Sequence, residues 1–172
     1  MDIMNTLQKL TEIGKSTSEK QVLINVNEVF YVWDIMVTKF DIMQSVKIVE
    51  NFITDIDLKF IAEQVVKGLE TGINDMETIM NNYGIPFPER PPVGSNATAN
   101  IEDFSEKFIY AGLFEGIQSF FPILSAGFMN STSPIVRKVF KDHLLVTIEL
   151  QELIVEYGKL KGFINEPPVY KA

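Results

Sequence analysis

The chain has 172 residues, enough for one domain with a hydrophobic core, and 46% of them are hydrophobic and 22% charged. Its formal net charge of -8, with Arg90 and Arg137 as the arginines, disfavours binding to nucleic acid, because phosphate groups are bound by clustered Lys and Arg. There is no cysteine, and the N-terminal residues lack the cationic and apolar regions of a secretory signal. We therefore expect a cytoplasmic protein with one domain over residues 1–172.

Four long segments repeat apolar residues every three or four positions, which predicts an all-α, antiparallel four-helix bundle. The first predicted helix covers residues 18–50, with Thr17 or Ser18 as its N-cap. Its buried face is formed by apolar residues alternately four and three apart: Val22, Val26, Val29, Trp33, Met36, Phe40 and Met43. Its polar residues are assigned to the solvent side: Lys39, Asp41 and Gln44.

The second predicted helix covers residues 55–83. Its buried face consists of small and apolar residues: Leu58, Ala62, Val65, Leu69, Gly72, Met76 and Met80. Gly68 and Gly72 lie one turn apart, and because glycine weakens a helix they favour close packing against a neighbour. The proline-rich segment 84–101 then predicts a crossover along the bundle, with a peptide-binding or disordered loop as the alternative.

The third predicted helix, residues 102–130, is the most apolar. Between Phe108 and Met129 the charged residue is Glu115, which is also typical of a membrane span. Internal glycines and a proline, and the lack of cationic anchors, instead favour a helix that is buried on most sides or meets another subunit. Gly112 and Gly116 are accordingly candidates for an oligomer interface.

The fourth predicted helix, residues 134–161, begins with Ser133 as N-cap and Pro134 at the first helical position. Its buried face contains one histidine among mainly apolar residues: Val136, Phe140, His143, Thr147, Leu150, Ile154 and Tyr157. The extended tail 162–172 follows Gly162. We expect its apolar residues Phe163, Val169 and Tyr170 to pack on the body of the protein.

Several segments together resemble an uncharacterised ferritin-like family of endospore-forming bacteria, domain of unknown function 3231. They are 27–33 (NEVFYVW), 83–88 (YGIPFP), 104–108 (FSEKF), 136–140 (VRKVF) and 161–170 (KGFINEPPVY). The resemblance implies a ferritin-like bundle in a sporulation or stress setting. This chain holds a single copy of a unit that is often found in tandem, and it has 71–74 (TGIN) where many relatives are expected to carry a histidine.

A ferritin-type di-iron site needs a Glu-x-x-His pair on each of two helices, and the sequence contains no such pair. Extending the buried face of the third helix from Ile101, Phe104, Phe108 and Ala111 places Glu115 and Gln118 inside. At about 1.5 Å per residue, Gln118 lies about 4 Å from the level of His143 along the bundle, and Glu115 about 9 Å. A Gln118–His143 hydrogen bond is therefore favoured, and Glu115 and His143 remain candidate metal ligands or an acid–base pair.

These observations favour a non-enzymatic structural or interaction protein without a cofactor, most simply a homodimer that buries the glycine-rich third helix. One alternative is a bundle that binds a small apolar ligand. Another is a residual metal-binding oxidoreductase.

Overall fold

The fold is all-α in the computed structural model, which describes residues 3–91 and 104–170. Two short helices, α1 (Ile3–Glu12) and α2 (Thr17–Gln21), precede four long ones. The long helices are α3 (Val26–Val49), α4 (Ile56–Tyr83), α5 (Glu106–Asn130) and α6 (Pro134–Lys161), with a 3-10 turn at Glu50–Phe52. The predicted all-α class is confirmed.

The four long helices form an antiparallel bundle in which α3 and α6 are diagonal and each packs against α4 and α5. At one end, which we call the Ser133 end, the Asn25 side chain donates to the Asn130 carbonyl at 3.3 Å. At the opposite end, which we call the Asp55 end, the Glu106 carboxylate accepts the Asp55 N–H at 3.0 Å.

The connection from α4 to α5 links these two ends. Helix α4 finishes at the Ser133 end and α5 starts at the Asp55 end, so the chain between them crosses about 40 Å, the length of a 28-residue helix. This is the long crossover predicted between the second and third long helices. Residues 92–103 within it lie outside the described part of the chain, and so does the alternative of a disordered or peptide-binding loop.

The first predicted helix is wrong at its start because two capping boxes divide the segment. The Ser16 side chain caps α2 together with Glu19, and the Asn25 side chain caps α3 together with Glu28. The assignment of Thr17 or Ser18 as the cap of one long helix fails for this reason. The buried face also shifts, since Val22 and Val26 are 83% and 79% exposed.

The predicted faces of α4 and α6 agree with the structure. All seven residues assigned to the buried face of α4 are buried, and so are six of the seven on α6, with Leu150 half-buried. Ser133 caps α6 and Pro134 is its first residue. In the tail, Phe163 packs near Tyr110 and Tyr157, whereas Val169 and Tyr170 are exposed, so the packing expected of those two residues was wrong.

Helix α5 presents a different face to the core from the predicted one. Its buried residues are Ile109, Tyr110, Leu113, Gly116, Ile117, Phe120, Leu124 and Gly127. Ala111, Glu115 and Gln118, which were predicted to be internal, are exposed. Because α5 is apolar around most of its circumference, the spacing of its hydrophobic residues does not select one side.

Among the helices in the described part of the chain, only α5 is long and apolar enough to cross a membrane, judged by length and composition. Its most apolar 18-residue window has a mean hydropathy of 1.2, and 39% of that window is buried inside the bundle. Core helices of globular proteins can reach the same length and mean hydropathy.

Candidate functional site: a buried lysine and histidine beneath the α4–α6 groove

Lys39 of α3 lies inside the bundle with 5% of its surface exposed. Its ammonium nitrogen is 5.0 Å from the centre of the Phe120 ring. A Cβ atom added to Gly72 would lie only 2.3 Å from that nitrogen, so the missing side chain on α4 is what makes room for Lys39. The sequence-based assignment of Lys39 to the solvent side was wrong.

Burial lowers the pKa of the Lys39 amine to about 8, since the charged form loses its hydration, while the charge of Asp75 acts in the opposite direction. A lysine with a pKa in this range exists as a mixture of ammonium and free amine at mildly alkaline pH. The buried residue can therefore both carry a charge and exchange a proton near physiological pH.

His143 of α6 lies close to Lys39 and is also 5% exposed. Burial first, and then the charge of Lys39, lower the pKa of its imidazole to about 4, against the opposing carboxylates of Asp75 and Asp142. The ring is thus neutral at neutral pH. Its interior position agrees with the sequence-based prediction, and the Thr147 hydroxyl donates to the His143 carbonyl at 2.8 Å.

The partner of His143 differs from the predicted one. Its Nε2 atom lies 3.2 Å from Asp75 Oδ2, without the alignment of a hydrogen bond, and has no hydrogen-bond partner within the described residues. Gln118 and Glu115 are exposed on α5, so the predicted Gln118–His143 pair and the Glu115–His143 pair do not form. Both predictions depended on the wrong face of α5.

A groove of about 590 Å³ opens between α4 and α6 above these buried groups. Its apolar lining comes from both helices: Phe60, Gly68, Val146, Leu150 and Leu153. Its polar lining contains acidic, basic and neutral side chains together with the buried histidine: Gln64, Lys67, Thr71, Asp75, Asp142, His143 and Glu149.

A narrow inner cavity of about 20 Å³ continues the groove toward the bundle axis and is lined by Lys39, Phe120, His143 and Thr147 among others. That volume is the size of one water molecule. Gly68 and His143 line both spaces, so the inner cavity adjoins the groove where a side chain is missing. Among residues 3–91 and 104–170, no three His, Asp or Glu side chains come together in a way that could hold a metal ion.

Of the two glycines predicted to lie at an oligomer interface, one is buried within the bundle and the other is exposed. A Cβ atom added to Gly116 would lie 3.5 Å from Ile42, so Gly116 packs against α3 of the same chain rather than on an outer surface. Gly112 is exposed, and a Cβ atom there would meet nothing within 4 Å.

Helix α1 is docked with its polar side inward. The carbonyl oxygen of the Gln8 side chain accepts from the Ser133 hydroxyl at 3.0 Å and from the Ile135 N–H at 3.2 Å. Its amide nitrogen donates to the Glu12 carboxylate at 2.8 Å, and the Tyr83 hydroxyl donates to the same carboxylate at 2.8 Å. A polar network therefore fixes which side of α1 meets the bundle.

The opposite side of α1 exposes four large apolar residues, which we call the α1 apolar face: Ile3, Met4, Leu7 and Leu10. They are 66%, 58%, 49% and 59% exposed. A shallow groove of about 290 Å³ next to this face is lined by Met4, Leu7, Leu23 and Pro134 among others. Amphipathic helices of globular proteins usually bury such a stripe, so this exposed face is a candidate surface for interaction.

The sequence contains the signal for this surface, because Ile3, Leu7 and Leu10 follow the i, i+4, i+7 spacing of one helix face. The predicted helices began only at residue 18, so α1 was missed.

A buried carboxylate holds the Ser133 end together. Glu28 is fully buried, and its two oxygens accept the N–H groups of Ser133 and Asn25, each at 2.7 Å. These donors are the N-caps of α6 and α3, so one side chain joins the positive ends of two helix dipoles.

Comparisons with known proteins agree with this architecture. A crystal structure of a putative spore coat protein from Bacillus halodurans C-125 is similar with a TM-score of 0.78 and 18% identity, covering 87% of this chain and 96% of that chain. A two-domain protein from Anabaena variabilis, with DJ-1/ThiJ/PfpI-like and ferritin-like domains, is similar with a TM-score of 0.64 and 13% identity. That match covers 84% of this chain and 40% of the Anabaena chain.

The fold is that of a ferritin-like bundle. At 18% and 13% identity the two likenesses establish the fold and nothing finer. No family model and no curated protein matches the chain, so membership of the particular family suggested by the sequence motifs stays a prediction.

Proposed function

We propose that this ferritin-like bundle is a non-enzymatic, cytoplasmic interaction protein that works by self-association, as a homodimer formed through the α1 apolar face. The observation that supports this proposal is the inverted orientation of α1, whose polar side is bound inward and whose apolar side is exposed. A chain with no partner would be expected to bury these side chains instead.

The polar network makes this orientation difficult to reverse. Turning α1 over would remove the partners of Gln8 and of the Glu12 carboxylate, and each buried polar group left without a partner costs about 1–3 kcal/mol. The α1 apolar face is more easily covered by a second molecule than by rearrangement of the chain.

A second copy is the occupant that the chemistry favours. The i, i+4, i+7 spacing of Ile3, Leu7 and Leu10 suits packing against another helix, and an antiparallel α1–α1 pair would be symmetric. The face exposes on the order of 500 Å² of apolar surface. The neighbouring groove lined by Met4, Leu7 and Leu23 extends this surface only slightly, so the contact is smaller than the roughly 800 Å² per partner of standard interfaces and fits a weak, reversible dimer.

The proposed setting is sporulation or stress. It is supported by the motif resemblance and by the fold shared with the Bacillus halodurans protein. The net charge of -8 argues against an anionic membrane as the alternative occupant of the face.

Sedimentation equilibrium over a range of concentrations tests the proposal. We expect a reversible dimer for the wild-type chain and a monomer for the Leu7→Ser/Leu10→Ser double variant. Leu160→Ser, which changes a 76% exposed leucine near the Asp55 end, is the matched control and should dimerise as the wild type does. A wild-type monomer at all concentrations, or a double variant that still dimerises, would contradict the proposal.

A further inference from the structure

We propose that the groove between α4 and α6 is a binding site for a neutral amphipathic small molecule, with an apolar body along the groove and a hydroxyl head at His143. This site involves helices and residues other than those of the α1 apolar face. It therefore goes beyond the proposed association and does not depend on it.

The shape of the groove is set by a missing side chain. A Cβ atom added to Gly68 would lie 3.4 Å from Leu150 and 3.6 Å from Val146, so any larger side chain would project into the space between the helices. Its volume of about 590 Å³ falls within the range of small-molecule sites, and its apolar walls suit an aliphatic or aromatic body.

The polar end of the ligand is defined by His143. Buried polar atoms in proteins nearly always have hydrogen-bond partners, yet Nε2 of this 5% exposed residue has only Asp75 Oδ2 beside it, at 3.2 Å, and forms no well-aligned hydrogen bond within the described part of the chain. The residue lines both the groove and the inner cavity. A hydroxyl group can donate to Nε2 or accept from it, so it would satisfy this atom in either tautomer.

The surrounding charges favour a neutral ligand. The groove carries the carboxylates of Asp75, Asp142 and Glu149, which would repel an anionic head. A cationic head at His143 would be attracted by Asp75, but Lys67 in the groove and Lys39, which lines the inner cavity together with His143, offset that attraction. Part of the acidic charge is already compensated, because Lys138 forms an ion pair with Asp142.

Three probes that share one apolar body can test both the site and the class of ligand: 2-naphthol, 2-naphthalenesulfonate and 2-naphthylmethylammonium. Titration calorimetry with the full chain should show saturable binding of 2-naphthol, with affinity for either charged probe lower by about tenfold or more. Equal or tighter binding of a charged probe would overturn the assignment of a neutral ligand.

Variants locate the binding. Gly68→Leu fills the groove and should weaken 2-naphthol binding by about tenfold or more, whereas His143→Leu should weaken it by about three- to tenfold through loss of one hydrogen bond. Gly112→Leu is the matched control, since it also places leucine at a helical glycine but in open surroundings, and it should bind as the wild type does.

One readout needs no variant. His143 is the single histidine, so its ring signals in an NMR spectrum are unambiguous and should shift on addition of 2-naphthol to the wild-type protein. Absence of saturable binding, binding without a shift of these signals, or full binding by a folded Gly68→Leu variant would each overturn the proposal.

Discussion

Replacing Lys39 by methionine removes a buried ammonium group and keeps an unbranched side chain of similar length. The pKa of this lysine falls from its ordinary 10.5 to about 8 in the folded protein, chiefly through desolvation. At about 1.4 kcal/mol per pH unit, holding the charge inside the bundle costs at most roughly 3 kcal/mol of folding stability at pH 7. Lys39→Met should therefore be more stable than the wild type at that pH.

The stability difference between Lys39→Met and the wild type should depend on pH. Between pH 8 and 10.5 the unfolded chain retains the lysine proton while the folded chain has lost it, so the stability of the wild type rises with pH in this window. The advantage of Lys39→Met should shrink by about 2 kcal/mol between pH 8 and pH 10.

Urea unfolding of both proteins at pH 7, 8, 9 and 10 measures this difference, and subtracting one curve from the other removes groups that the two proteins share. Lys67→Met makes the same substitution at an exposed position of the groove and is the control; its difference from the wild type at pH 7 should be smaller than that of Lys39→Met. A Lys39→Met difference that is constant from pH 7 to 10, or a variant less stable at pH 7, would refute the account of Lys39 as a buried charge.

Three other substitutions or titrations test the packing of the bundle. The NMR titration of His143 should have its midpoint near pH 4, and the midpoint should move upward in Lys39→Met because a neighbouring positive charge is removed. Because the unfolded chain binds this proton first, the stability of the protein should fall as the pH falls from about 6.5 to 4. A midpoint near 6.5 would contradict the burial of His143. Glu28→Gln should destabilise the protein to urea by about 2 kcal/mol, because its new amide group would face a backbone donor, whereas the exposed Glu63→Gln should change stability by less than about 0.5 kcal/mol. Gly127→Ala should lower the melting temperature, since its Cβ atom would lie 2.6 Å from a buried phenylalanine ring and overpacking costs about 1–3 kcal/mol; an increase would show that the ring moves aside easily.

The parts of the fold that the sequence predicts well are those with local signals. Helix α6 follows a serine cap and a proline and ends at Gly162, which has the left-handed conformation that glycine adopts without strain, so both of its ends are encoded nearby. Helix α4 combines a single apolar stripe with an aspartate cap at Asp55. In both helices the face and the boundaries agree with the structure.

The candidate site depends on tertiary packing and was only partly predictable. His143 was placed inside by its position on an amphipathic face. Lys39 was not, because a lysine is normally exposed and the space it occupies exists only where Gly72 of another helix approaches it. The prediction of which face of α5 is buried was wrong, because the sequence of an almost wholly apolar helix does not favour one side.

The orientation of α1 also lies beyond what local sequence can specify. Its i, i+4, i+7 stripe predicts an amphipathic helix, and the general rule would turn that stripe inward. The polar partners that reverse it, Tyr83 and Ser133, come from distant parts of the chain. Only the assembled bundle shows that the helix is docked by hydrogen bonds.

Disulfide trapping measures the proposed α1–α1 contact most directly. The chain contains no cysteine, so Leu7→Cys introduces a single thiol at the middle of the α1 apolar face, where a symmetric antiparallel pair would place it opposite its own copy. Under mild oxidation we predict rapid formation of covalent dimers by Leu7→Cys and slow, collision-limited formation by the control Leu160→Cys. Equal, slow trapping of both variants at concentrations where the protein sediments as a dimer would show that the copies meet through another surface.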